Sequence, residues 1–152
     1  MQMNDLYAEI ILDHSRAPHH AGLREPFDAQ THQVNPTCGD EVTLRLAVQR
    51  GDSGGLTVQD VSYDALGCSI SQASVSVMTD LVIGESLTRA QQKLAAFEAM
   101  ITSKGADPGD EDLLGDAVAF AGGAQYPNRV KCALLGWKAF KLAAAQAEVS
   151  AA

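Results

Sequence analysis

Three cysteines and one aspartate carry the most specific chemistry in this chain. Cys38 stands in the run NPTCGDE with Asp40 two positions later, Cys68 in LGCSIS, and Cys132 in PNRVKC. Zinc takes four ligands, prefers thiolate sulfur and accepts a carboxylate oxygen. Cys38, Asp40, Cys68 and Cys132 together would complete such a tetrahedron. The Cys-Gly-Asp spacing lets two ligands issue from one tight turn, with Gly39 free to take the backbone conformation that turn needs. Cys68 falls at a predicted helix N-terminus, where the helix dipole favours a thiolate. Three thiolates and a carboxylate around a dication leave roughly two negative charges in excess. Arg129 and Lys131 flank Cys132 and offset part of that charge; Arg129, three residues before Cys132, shares its helix face. The spacing has no CxxC pair, and the gaps are long. From the residues alone two readings stand: one shared metal site, or three unrelated free thiols. Placement near element ends favours the first, because a cysteine that merely fills a core more often lies mid-element on an apolar stripe.

The elements that would position these residues can be read from hydrophobic period. Leu6, Tyr7, Ile10 and Ile11 form one face of a short first helix that Pro18 stops. Val42, Leu44, Leu46 and Val48 alternate with Thr43, Arg45 and Ala47, which predicts a half-buried strand. GDSGG at 51–55 is turn chemistry, and a second strand follows it. There Leu56 and Val58 hold one phase and Val61, Tyr63 and Ala65 the other, so a bulge or a bend is expected at Gln59-Asp60. The two strands predict an antiparallel hairpin, with residues 27–35 as a third strand beside it. Beyond Gly67 the period becomes helical. A helix over 69–83 closes at Gly84, and Ser86 caps a second that runs to Ile101. Residues 104–112 form an acidic mobile loop, and a short helix near 113–121 ends at Gly122-Gly123. Pro127 opens a final helix, in which Trp137 and Phe140 belong to the core. Strands first and helices afterwards predict an α+β fold: a small antiparallel three-stranded sheet with helices packed mainly on one face. No internal repeat or linker divides residues 1–152, so one domain is expected. Of the histidines, His14 reads as a capping or surface residue, His19 and His20 as solvated loop residues, and His32 as a strand surface residue.

The totals narrow the function. The chain has 152 residues, 46% of them hydrophobic, and a formal net charge of −8 with only 11 Lys and Arg. That balance argues against nucleic-acid binding and for protein partners with basic faces. The N-terminal residues lack the basic and apolar regions of a secretory signal, and no run is long and apolar enough to span a bilayer. A cytoplasmic protein is expected, in which three thiols stay unpaired as packing residues, metal ligands or reactive groups.

The three cysteine runs, NPTCGD, LGCSISQASVSVMTD and PNRVKC, resemble in order the cysteine motifs of the IscU/SufU family, and DLYAEIILDHSRAP is similar to its first helix. The resemblance covers about residues 4–145 and implies a SufE/NifU-like fold. The IscU branch, a scaffold for iron–sulfur clusters, carries His immediately before its last cysteine. This chain has Lys131 there, Arg129 two residues earlier and a long 69–131 interval, which resembles the SufU branch. A lysine ammonium has no lone pair for iron, whereas a neutral imidazole does. The resemblance therefore implies a zinc-dependent sulfurtransferase that takes persulfide sulfur from a SufS-type cysteine desulfurase and serves downstream iron–sulfur assembly proteins. Its zinc ligands would be Cys38, Asp40, Cys68 and Cys132, its sulfur acceptor Cys38. Arg129 would stabilise a released thiolate or steer the persulfide. An IscU-type scaffold holding an iron–sulfur cluster is the alternative. The chain departs from the pattern at His19-His20, where many relatives carry Arg or Asn, and at Ser69, where they often have Ala.

Overall fold

The structure is a computed structural model that describes residues 3–37, 39–51 and 54–151, with side chains from Tyr7 onward. The side chain of Leu6 in the predicted first stripe, and Asp52 and Ser53 of the predicted turn, are thus outside what is described. The chain runs α1 (Met3–Arg16), β1 (Ala29–Asn35), β2 (Asp40–Arg50), β3 (Leu56–Leu66), α2 (Ser69–Val82), α3 (Leu87–Ile101), α4 (Glu111–Leu114), a 3-10 helix (Gly115–Gly123) and α5 (Pro127–Ala151). The strands form an antiparallel sheet in the order β1-β2-β3. This is the α+β architecture that the periodicity predicts.

The two-residue period of the strands decides which side chains face the helices. Val42, Leu44 and Leu46 of β2 are buried, as are Ala29 and Thr31 of β1 and Val61 and Tyr63 of β3. The predicted slip is a true bulge. Ala47 pairs with Asp60 and Val48 with Val58, so Gln59 is the extra residue. It re-phases β3 and lets both Val58 and Val61 point inward, each 0% exposed. Helix α5 packs across β1 and β2, and α2 packs between α1 and α5.

Two close approaches lock α2 onto α5. A Cβ added at Gly136 would lie 2.7 Å from Val75 Cβ, so only glycine allows the helices this near. Beside it, the Ser74 hydroxyl donates to the Ala133 carbonyl at 2.6 Å and accepts from Trp137 Nε1 at 3.1 Å. The buried indole N–H thereby has the partner it requires. The Trp137 ring lies 4.2 Å from Phe97, as expected for a core residue.

One local expectation needs correction. The short helix predicted near 113–121 is a single α-turn capped by Asp110, whose side chain accepts from Asp112 N–H at 3.0 Å. Gly115, at φ 50, then breaks it, and the chain tightens into the 3-10 helix. The acidic 104–112 stretch is a loop as far as Asp110, as expected, and touches the core at Gly109, where an added Cβ would meet Met100 Sδ at 2.6 Å. Ser86 does cap α3, accepting from Arg89 N–H at 3.1 Å.

Candidate metal centre

Asp40 opens β2 and shares the parity of Val42 and Leu44, so strand alternation turns its carboxylate to the helix side, where it is 2% exposed. Cys68 is the N-cap of α2, just after β3, with φ −71 and ψ 168 and no side-chain capping bond. Its thiol is consequently free of a capping role. Cys132 lies in the second turn of α5 and is buried at 6% exposure. The sheet edge, the start of α2 and the start of α5 meet here. One carboxylate oxygen of Asp40 and the sulfurs of Cys68 and Cys132 all lie within 4.8 Å of one another.

The group is organised around the Asp40 carboxylate. Cys68 N–H donates to Oδ1 at 3.1 Å, and the Ser71 hydroxyl donates to Oδ2 at 2.6 Å. Cys68 Sγ lies 3.6 Å from both Asp40 Oδ2 and Ser71 Oγ. Burial pushes the Asp40 pKa up, but hydrogen bonds from Ser71, the Cys132 thiol and Cys68 outweigh it and hold the carboxyl below its ordinary value. The carboxylate therefore stays ionised in a buried place, which suits a cation. Gly67 makes the approach possible. A Cβ there would fall 2.4 Å from Oδ1, 2.6 Å from Cγ and 2.9 Å from Cβ of Asp40.

Two thiols and one carboxylate oxygen match the donor set zinc accepts. Of the predicted ligands, Asp40, Cys68 and Cys132 come together, while Cys38 lies outside the described residues. Its neighbours form a tight turn: Gly39, at φ 72, donates its N–H to the Asn35 carbonyl at 2.8 Å, and Thr37 N–H donates to Asn35 Oδ1 at 3.2 Å. This turn joins β1 to β2 next to Asp40. Ser71 and Gly67 were not singled out from the sequence. Ser71 had a signal, because three residues past Cys68 on a helix is the same face.

Arg129 and Lys131 are exposed. The Arg129 guanidinium lies 4.8 Å above the Tyr126 ring, a cation–π contact. Arg129 helps line a cavity of about 230 Å³ with Tyr7, Ile11 and Ile70. Lys131 borders a second cavity beside Val34, Pro36 and Thr37.

The histidine expectations fare unevenly. His32 does lie on the strand surface, 3.0 Å from Glu41 Oε2. His14, expected as a capping or surface residue, is 7% exposed, because the last turn of α1 packs on α2. Burial first, then repulsion from His19, lowers its pKa below the ordinary imidazole value. His19 and His20, expected to be solvated loop residues, are half-exposed but both paired with Asp80 of α2.

Residues 6–133 match the family described as the NifU-like N terminal domain. The chain is 37% identical over 140 residues to the iron–sulfur cluster assembly scaffold protein IscU of Streptococcus pyogenes serotype M1, spanning 92% of this chain and 83% of that one. It is 34% identical over 146 residues to the zinc-dependent sulfurtransferase SufU of Bacillus subtilis (strain 168), spanning 96% and 94%. Among solved structures it resembles a nitrogen-fixing NifU-like protein (N-terminal) from Brucella abortus, with TM-score 0.81 and 26% identity over 97% of each chain. Among the described residues, no helix is long and apolar enough to cross a membrane.

Proposed function

Because this chain belongs to the NifU-like N-terminal family that includes the IscU and SufU proteins of iron–sulfur cluster assembly, we propose that it is a zinc-dependent sulfurtransferase. It accepts persulfide sulfur from a SufS-type cysteine desulfurase and passes it on within iron–sulfur assembly. The observation that carries this reading is the convergence of Asp40, Cys68 and Cys132 at one sheet edge, with their ligand atoms within 4.8 Å. Likeness to the Bacillus subtilis sulfurtransferase over 96% of the chain supports it. Lys131, rather than an imidazole, before Cys132 supports the sulfurtransferase over the scaffold, since an ammonium offers iron no lone pair.

In this reading Cys38, Asp40, Cys68 and Cys132 hold zinc. When bound, it would keep the sulfurs deprotonated at neutral pH. The chain's own residues divide the remaining work. Cys68 and Cys132 are fixed on helices α2 and α5, and Asp40 is fixed by Cys68 N–H and the Ser71 hydroxyl. In this reading Cys38, beside Gly39 in the sequence, is the sulfur that leaves the ligand set and reacts. Its thiolate attacks the outer sulfur of the desulfurase persulfide. The partner's sulfur–sulfur bond breaks, a new one forms on Cys38, and the partner cysteine leaves as a thiolate, with no net oxidation. Arg129, exposed on the same first turns of α5, supplies a positive charge toward the incoming persulfide.

The test is metal content together with desulfurase activation. The purified protein is expected to carry one equivalent of zinc and to raise cysteine turnover by a SufS-type desulfurase. Chelation should lower its melting temperature. Full stimulation by Cys38→Ala would overturn the acceptor assignment. Absence of zinc, with a melting temperature indifferent to chelator, would overturn the metal site. A brown cluster-loaded protein after anaerobic reconstitution, without stimulation, would instead establish the scaffold function.

A further inference from the structure

A second convergence of metal-ligating groups lies on the far part of α2. His14, in the last turn of α1, His19, in the connection that follows, and Asp80 of α2 each present a ligand atom, and these atoms lie within 4.8 Å of one another. Cys68 and Asp80 are twelve residues apart along α2 and its cap, or about 18 Å at the helical rise. The two clusters are therefore separate places on the molecule.

The side chains are held as metal ligands usually are. Ser76 and Asp80 lie one turn apart on one face of α2. His14 Nδ1 is 2.7 Å from Ser76 Oγ, which also accepts from the His19 backbone N–H at 2.7 Å. One serine hydroxyl thus ties down both histidines. With Nδ1 turned to Ser76, His14 has Nε2 left to offer, and an outer partner on the other ring nitrogen is typical of histidine ligands. The His14 and His19 rings are 4.4 Å apart and inclined at 47°, not stacked flat. On the open side His19 Nδ1 is 2.5 Å from Asp80 Oδ2, and His20 Nε2 is 3.3 Å from Asp80 Oδ1. His20 is at φ 62, and the turn it makes sends two consecutive histidines to the two oxygens of one carboxylate.

We propose that His14, His19 and Asp80 form a second binding site for a divalent transition metal of the zinc class, with His20 supporting the carboxylate from outside. Two imidazoles and a carboxylate are a donor set that suits zinc and its neighbours rather than magnesium or calcium. Ligand atoms at about 2.0 Å from a tetrahedral zinc are separated by about 3.3 Å. The His19–Asp80 pair must then open by less than about 1 Å from its 2.5 Å contact. Both side chains are free to do so, being 50% and 39% exposed. Three protein ligands leave a position to water, which makes this an exchangeable site rather than a closed structural one.

The experiment is a titration of the full chain, first treated with chelator, with Zn2+ alone. Imidazole nitrogen shifts are followed by NMR and the heat by calorimetry. Two binding events are expected. One is weakened by Cys132→Ser and unaffected by Asp80→Asn. The other behaves in reverse, losing more than about tenfold in affinity in Asp80→Asn and in His19→Ala, and its saturation moves the His14 and His19 ring signals. Both variants alter half-exposed side chains, so their melting in chelator should stay near wild type; if either fails to fold, the other still reads the site. Failure of the cysteine site would remove only the first event. The proposal is overturned if neither Asp80→Asn nor His19→Ala changes any zinc-binding event, or if zinc leaves the His14 and His19 ring signals unmoved.

Discussion

Replacing Gly67 by alanine tests how the candidate metal centre is built. The added Cβ would stand 2.4, 2.6 and 2.9 Å from three atoms of Asp40, where ordinary contact begins at 3.4 Å. Each contact must therefore open by about 0.5–1 Å. Rotating the carboxylate cannot relieve all three, because the Asp40 Cβ is among them. Either Asp40 or the β3–α2 junction has to move, and the backbone at φ 154 is itself one that L side chains rarely adopt. Overpacking of this kind costs about 1–3 kcal/mol. Losing the hydrogen bonds from Cys68 N–H and the Ser71 hydroxyl adds about 1 kcal/mol each. A total of about 3–5 kcal/mol, beyond the backbone strain that the control below shares, corresponds to a melting temperature lower by roughly 6–20 °C for a chain of this size. Gly84→Ala is the matching control: its φ of 88 is equally unfavourable, but nothing lies within 4 Å of the added Cβ. It should cost only about 1–2 kcal/mol. Denaturant unfolding in chelator measures the stability term without reference to any metal. Competition with a chromogenic chelator then measures zinc affinity, expected to fall by about tenfold or more in Gly67→Ala and to hold in Gly84→Ala. If Gly67→Ala is no less stable than Gly84→Ala and binds zinc as the parent does, Gly67 does not shape the site.

Gly136→Ala should wedge α5 from α2, since the new Cβ would meet Val75 Cβ at 2.7 Å and the Val75 backbone at 3.2 Å. A loss of about 1–3 kcal/mol is expected in chelator; an unchanged unfolding midpoint would refute the close helix contact. The Arg24–Asp60 pair predicts a pH effect. Arg24 Nε and Nη2 each donate to an Asp60 oxygen at 2.9 Å, and that hydrogen bonding lowers the Asp60 pKa. A depressed folded-state pKa contributes stability above the unfolded value, and this is lost as pH falls through the folded one. Asp60 is 35% exposed, so solvent limits the contribution to about 1 kcal/mol. The melting-temperature gap between the parent and Asp60→Asn should be constant above about pH 5 and close below the ordinary carboxylate range near 3.9. A gap that persists at the lowest pH would show that charge is not its cause.

Much of the candidate metal centre is determined by the sequence itself. Strand period puts Asp40 on the face of Val42 and Leu44. The change from period two to a helical period after Gly67 puts Cys68 at a helix start, and Pro127 puts Cys132 in the first two turns of the last helix. Element ends at one sheet edge have little choice but to approach one another. The bulge at Gln59 was equally legible, because a phase slip is a local property of one strand. What only the tertiary structure decided are meetings between residues far apart in the chain whose types carry no mutual signal. Gly67 looks like an ordinary turn residue until Asp40, 27 positions earlier, fills the space of its missing Cβ. His14 reads as a surface residue at the end of α1 until the packing of α1 on α2 sets it against Ser76, 62 positions away. Asp80 is one more polar residue on a helix until the turn at His20 brings two histidines to it. Local period fixes which way a side chain points; which distant side chain it then meets depends on how the helices pack, and that is settled by the whole core at once.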